Sequence, residues 1–320
     1  MEYAERHTRR RERPPPVQAP TKILDGTRRF SILTAMDGGV GGAGRVSRPT
    51  PWWLRVFLLV NVVQDFGLGL SGLLFPAHIL IPLKGLSPLN ARFVGSLYLG
   101  GGIVILCAAM VRRVADTRIA LYSLFVITSL VLGMTLAYWA TFTVAGVPEL
   151  WMITYVVDPV VVPVAIVALG VVRPAAPGRH RLTPLFLAEA VVLGGAGVAL
   201  LLAPDGILTA WPWTLTRLLA RVYAAFFLAF AVGALLAAYE RRPAAVRPFL
   251  TGSLALLGLA LGASLLHFDR LHHGPARWVW FGALVLGLAL FSFGQATLAR
   301  AGAHAPARAS DHDPLATAGQ

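Results

Sequence analysis

Charge is in short supply in this sequence. Only 13% of its 320 residues are charged, about half the share usual in a soluble domain, while 56% are hydrophobic. That balance excludes an ordinary water-soluble protein, which needs more charged side chains to cover its surface. Cysteine is scarcer still. Cys107 stands alone, so no internal disulfide can form and the usual cysteine zinc patterns are ruled out. No stretch joins a charged start, a short apolar core and a small-residue cleavage site, so the first apolar segment is expected to remain as a helix. Also missing are a nucleophile elbow, a P-loop and an HExxH motif. Gly67, Gly69 and Gly72 have the spacing of a dinucleotide fingerprint, but no strand precedes them.

Long apolar runs are abundant. A bilayer core is spanned by a helix of roughly 20 apolar residues, and eight such stretches occur, near 54–75, 92–111, 119–139, 151–172, 183–203, 218–239, 249–267 and 278–299. The expected fold class is therefore all-α: a polytopic integral membrane protein with eight transmembrane helices. Most of the 28 lysines and arginines fall on the side shared by both termini, in clusters such as Arg112, Arg113 and Arg118, then Arg173, Arg179 and Arg181, then Arg241, Arg242 and Arg247. The positive-inside rule puts those loops and both termini in the cytoplasm, and the protein in the plasma (inner) membrane. The eight tryptophans agree, with Trp52 and Trp53 at the inner end of the first span and Trp139, Trp151, Trp211, Trp213, Trp278 and Trp280 at outer ends or in outer loops, where headgroup anchoring is expected.

The net charge of +13 does not point to nucleic acid, because much of it lies in residues 1–50, a Pro, Gly and Arg-rich segment with no apolar periodicity. That segment is expected to be disordered, cytoplasmic and held by anionic lipid of the inner leaflet. Residues 301–320 read as a similar disordered tail. The implied partners are the bilayer itself and a further membrane protein.

The chain also matches itself. At an offset of 129, Leu86, Leu89, Ala91 and Arg92 meet Leu215, Leu218, Ala220 and Arg221; Arg112 and Arg113 meet Arg241 and Arg242; Tyr138 meets His267. With one gap, Gly67, Gly69 and Pro76 meet Gly195, Gly197 and Pro204. This predicts two tandem four-helix units, 51–173 and 182–300, joined by a linker at 174–181. An even number of spans per unit makes the repeat parallel. In outline, the helix, basic turn, helix pattern of each unit resembles DoxX-type four-helix membrane proteins; no function or residue is carried over from that outline.

Three carboxylates fall inside spans, and none is matched by an acid in the other unit: Asp65 aligns with Leu193, Asp158 with Gly287 and Glu189 with Asn61. Features present in both units belong to the fold, whereas unmatched ones mark where the halves specialised. An acid near the bilayer centre costs on the order of 3 kcal/mol, so it faces a cavity, a bundle interior or a partner. The candidate ligand or ion site is therefore Asp65 with its neighbours Asn61 and Gln64, together with Asp158, Glu189 and Arg92. Asp158 stands beside Pro159 and Pro163, where a kink is expected. The alternative for these acids is structural, with Asp65 hydrogen-bonded to a neighbouring helix and Asp158 paired with Arg92.

At the outer end of the seventh span, His267, Asp269, His272 and His273 offer imidazole and carboxylate groups that suit zinc or copper, though in no defined motif. No cofactor is predicted. Three functions remain: a non-enzymatic membrane component that binds or accompanies another molecule, a small-molecule or ion carrier using the intramembrane carboxylates, and an outer-face metal-dependent enzyme.

Overall fold

A computed structural model describes residues 48–78, 80, 86–139 and 149–303. The basic N-terminal segment up to residue 47, the tail beyond 303, much of the loop after the first span and the side chain of Trp151 lie outside the described residues. Eight long helices follow in order: α1 (Trp52–Leu74), α2 (Pro88–Met110), α3 (Arg118–Ala137), α4 (Glu149–Ala168), α5 (Thr183–Leu202), α6 (Arg217–Ala238), α7 (Pro243–Leu266) and α8 (Pro275–Ala303). Seven of them are long and apolar enough to cross a membrane, and α4 carries a shorter apolar stretch, Met152–Ala168. Among the described residues there is no strand. The protein is an all-α polytopic membrane protein.

Helix starts are written locally. Ser87 caps α2 by accepting from the Asn90 backbone N–H at 3.3 Å, and Thr216 caps α6 from Leu219 at 3.2 Å, each satisfying a donor that the first turn leaves without a partner. Proline opens α2 and α7, where its fixed φ fits and its missing N–H costs nothing.

The helices do not pack as two separate bundles. α1 lies on α2 and α5 on α6, but α2 also packs extensively on α7, and α3 on α6, while α4 covers α3 and α8 covers α7. The second helix of each half thus seats on the third helix of the other. α2 and α6 form the centre, with 72% of their apolar windows buried against 17% for α5 and α8. Glycine permits the closest approaches. A Cβ at Gly95 would lie 2.6 Å from the Gly69 carbonyl oxygen, and one at Gly252 would lie 2.6 Å from that of Gly100, so the α1–α2 and α2–α7 backbones touch where neither bears a side chain.

One end of the bundle is tied by backbone and ionic contacts. Residues 48–50 pair with 112–114 through Thr50 N–H to Arg112 O (2.9 Å) and Val114 N–H to Arg48 O (3.1 Å), and 176–178 pair with 239–241 through Gly178 to Tyr239 (3.1 Å) and Arg241 to Ala176 (2.9 Å). Glu240, only 2% exposed, accepts from the backbone N–H groups of Ala175, Ala176 and Arg242 at 3.0, 3.2 and 3.1 Å. Asp116 and Arg242 form a buried ion pair at 2.8 Å across the two halves.

The opposite end departs from the expected tryptophan belt. Trp213 is 1% and Trp211 9% exposed; both turn inward against Trp280 and, for Trp213, Phe93. For Trp213 the reason is polar: Asn90, itself buried in α2, accepts from Trp213 Nε1 at 2.6 Å and from the Tyr223 hydroxyl at 3.0 Å, and donates to the Thr214 carbonyl at 3.2 Å. Trp211 is instead held by ring contacts with Trp213, Tyr223 and Phe227, and its Nε1 has no hydrogen-bond partner among the described residues. An indole whose N–H has a buried partner gains more from the aromatic core than from headgroups.

Candidate functional site

Asn61, Gln64 and Asp65 stand three and four residues apart, which places them on one face of α1. Thr154, Tyr155 and Asp158 are grouped in the same way on α4. The fold turns these two faces toward each other. Between them, closed by α2, α3, α6 and α7, lies a cavity of about 50 Å³ into which Asn61, Gln64, Asp65, Tyr98, Thr154 and Tyr155 project, with Ser123 and Thr128 from α3 on its wall. Phe226, Phe230 and Phe249 complete the lining on the apolar side. At about 1.5 Å per residue, Asp65 and Asp158 both stand near the middle of their helices, the costliest depth for a charge.

Asp158 is 2% exposed and sits beside the cavity, near the Asn61 amide. Asn61 donates to the Phe57 carbonyl of its own helix at 3.2 Å. The Tyr98 and Tyr155 hydroxyls are hydrogen-bonded at 2.8 Å. Tyr155 interacts electrostatically with both carboxyl groups, which also interact with one another. Three buried oxygens around the cavity, Gln64 Oε1, Ser123 Oγ and Asp158 Oδ2, have no hydrogen-bond partner among the described residues. Buried oxygens without partners are costly, and a small polar cavity is where water or a cation satisfies them. Pro159 adds to this by removing the N–H that would bond the Tyr155 carbonyl one turn earlier.

The remaining candidates lie elsewhere. Glu189 on α5 meets Ser253 of α7, whose hydroxyl donates to Oε1 at 3.4 Å; it does not line the cavity. Arg92 does not pair with Asp158. Its Nε donates to the Leu73 carbonyl at 3.1 Å, and its Nη1 donates to His267 Nε2. The aligned Arg221 donates to the Leu201 carbonyl at 3.3 Å and lies over the Tyr138 ring, 5.5 Å from its centroid. Each arginine is thus anchored by the aligned residue of the opposite half.

The histidine group disperses. His267 is engaged by Arg92, Asp269 by Arg270 at 3.3 Å, His272 by Thr214 at 3.4 Å and His273 by Arg277 at 3.3 Å. Among the described residues, no three His, Cys, Asp or Glu side chains converge as a metal-binding group. Sequence reasoning missed Tyr98, Tyr155, Thr154, Ser123 and Thr128. The spacing of Thr154, Tyr155 and Asp158 was a usable signal for the α4 group, whereas nothing local marks Tyr98. Comparison with protein-family models, with curated proteins and with solved structures gives no match, so function is read from the chemistry of the cavity.

Proposed function

We propose that this multi-pass membrane protein carries a small cation, a proton or an alkali ion, through the cavity between Asp65 and Asp158. The observation that carries the reading is convergence: of two mid-helix carboxyl groups, neither matched in the other half, Asp65 of α1 lines and Asp158 of α4 adjoins one cavity with hydroxyl and amide groups on its wall. Its size favours a small cargo. A volume of about 50 Å³ has room for a few waters or a bare ion, since about 10–15 Å³ of such space takes one water. A carboxyl pair suits such a cargo because one charge opposes ionisation of the other, and a bound cation or proton relieves the opposition.

The basic end of the bundle would face the cytoplasm of a plasma (inner) membrane by the positive-inside rule. The crosswise anchoring of Arg92 by His267 and of Arg221 by Tyr138 supports a duplicated four-helix ancestor, with the first copy specialised for the cation.

Reconstitution in liposomes tests the reading. Wild-type protein is expected to move protons or alkali ions down an imposed gradient, detected by a pH-sensitive dye and ion-selective electrodes. Asp65→Asn and Asp158→Asn are each expected to abolish flux while the thermal unfolding temperature in detergent stays level or rises, because a buried charge has been removed. Absence of flux in the wild type, or mutants that lose stability and keep flux, would return the acids to a structural role in a non-enzymatic membrane component.

A further inference from the structure

A second site lies at the basic end, apart from the carboxylate cavity. Where α2 ends and α7 begins, an open groove of about 550 Å³ is lined by Arg112, Arg113, Arg242 and Arg247 with a single acid, Asp116. Four guanidinium groups against one carboxylate leave the groove strongly cationic. Asp116 is already committed to Arg242, at 2.8 Å, and Arg242 keeps a buried Nη1 with no hydrogen-bond partner among the described residues. Arg247 is braced by donating from Nη2 to the Leu298 carbonyl of α8 at 2.8 Å. Arg112 and Arg113 are exposed on the rim.

The other wall is apolar. Cys107, Met110 and Pro248 line the same groove on the membrane-spanning helices, and Met110 is 73% exposed. The groove therefore continues from a guanidinium cluster onto a lipid-facing surface. A soluble anion would use only the first part. An amphiphile with a phosphate headgroup and an acyl chain would use both, with the phosphate among planar, bidentate donors and the chain along the α2–α7 crevice.

We propose that this groove is a specific binding site for an anionic phospholipid, which clamps α2 of the first half to α7 of the second. The occupant differs from the lipid expected to meet the N-terminal segment, because it is held by side chains fixed in the fold and bridges the two halves at a defined place. Basic pockets between helices near a membrane surface bind anionic lipid headgroups, so loss of two rim arginines is expected to weaken binding by at least about tenfold.

The full chain is purified in detergent and titrated with phosphatidylglycerol or phosphatidylcholine, with bound lipid counted by native mass spectrometry. One or two phosphatidylglycerol molecules are expected to remain bound at collision energies that strip phosphatidylcholine. Arg112→Gln with Arg113→Gln is expected to lose this binding at least about tenfold. The control pair Arg179→Gln with Arg181→Gln, which removes equal charge from exposed positions outside the groove, is expected to keep it. Equal binding of the two lipids, equal loss in both double variants, or full displacement by millimolar inorganic phosphate would each overturn the proposal, the last by assigning the groove to a soluble anion. Both double variants are compared at matched elution volume and unfolding temperature, so loss through misfolding is recognised and Arg247→Gln then serves as the second groove variant.

Discussion

At the scale of single residues, His267 is the most readily tested. A guanidinium cannot accept a hydrogen bond, so the contact from Arg92 requires the lone pair of His267 on Nε2 and its proton on Nδ1. Burial, and then the Arg92 charge, hold the His267 pKa below the usual 6.5, with Arg270 adding to the effect and Asp269 opposing it. The folded imidazole thus stays neutral to lower pH than in the unfolded chain. Below about pH 6.5 the unfolded state binds more protons, so stability is complete above that pH and is lost as pH falls through the folded value. NMR titration of His267 is expected to give a midpoint under 6.5, moving up in Arg92→Gln; a midpoint at or above 6.5 would contradict the contact. Residue-scale signals in the sequence were uneven in a physical way. Asp65 and Asp158 stood out because a carboxyl group in lipid is costly wherever it points. The alternative pairing of Arg92 with Asp158 does not form, because its actual partner, His267, is brought near only by the crosswise packing. Trp211 and Trp213 looked like headgroup anchors, and only the buried Asn90 that holds Trp213 and the ring cluster around Trp211 say otherwise.

At the scale of helices, hydropathy located the long apolar helices, seven of them long enough to cross a membrane with a shorter apolar stretch in α4, since length and apolarity are local properties. Contacts between helices were less legible, because small residues recur on many faces and only the structure tells which are in use. Gly252 and Gly67 illustrate the difference. A Cβ on Gly252 collides with the Gly100 carbonyl, whereas one on Gly67 meets nothing within 4 Å. Gly252→Ala is therefore expected to destabilise by roughly 1–3 kcal/mol through overpacking. Gly67→Ala should be neutral or stabilise by up to about 1 kcal/mol, through helix propensity alone. Thermal unfolding of both variants in the same detergent decides the matter, and equal shifts would mean that the α2–α7 contact is not as close as described.

At the scale of the molecule, the internal match was legible as aligned residues, but the way the halves interlock was not. Sequence similarity between halves is satisfied equally by two bundles side by side and by helices that exchange partners. Here α2 depends on α7 and α3 on α6, and the Asp116–Arg242 pair crosses the same junction. Residues 1–173 and 174–320 produced as separate chains are accordingly expected to accumulate and co-purify when made together and to be degraded when made singly. Stable accumulation of either half alone would show that its internal contacts suffice.

Partner exchange between α2 and α7 also has a meaning in time. A ribosome adding roughly 5–20 residues per second needs on the order of ten seconds to travel from the end of α2 to the end of α7. Throughout that interval the Gly100 groove of α2 is already in the bilayer without the helix that fills it. The nascent first half must therefore be shielded, by the insertion machinery or by lipid, until the second half emerges. A ribosome stalled between α6 and α7 would leave in the membrane a chain with a vacant docking face, open to the wrong helix.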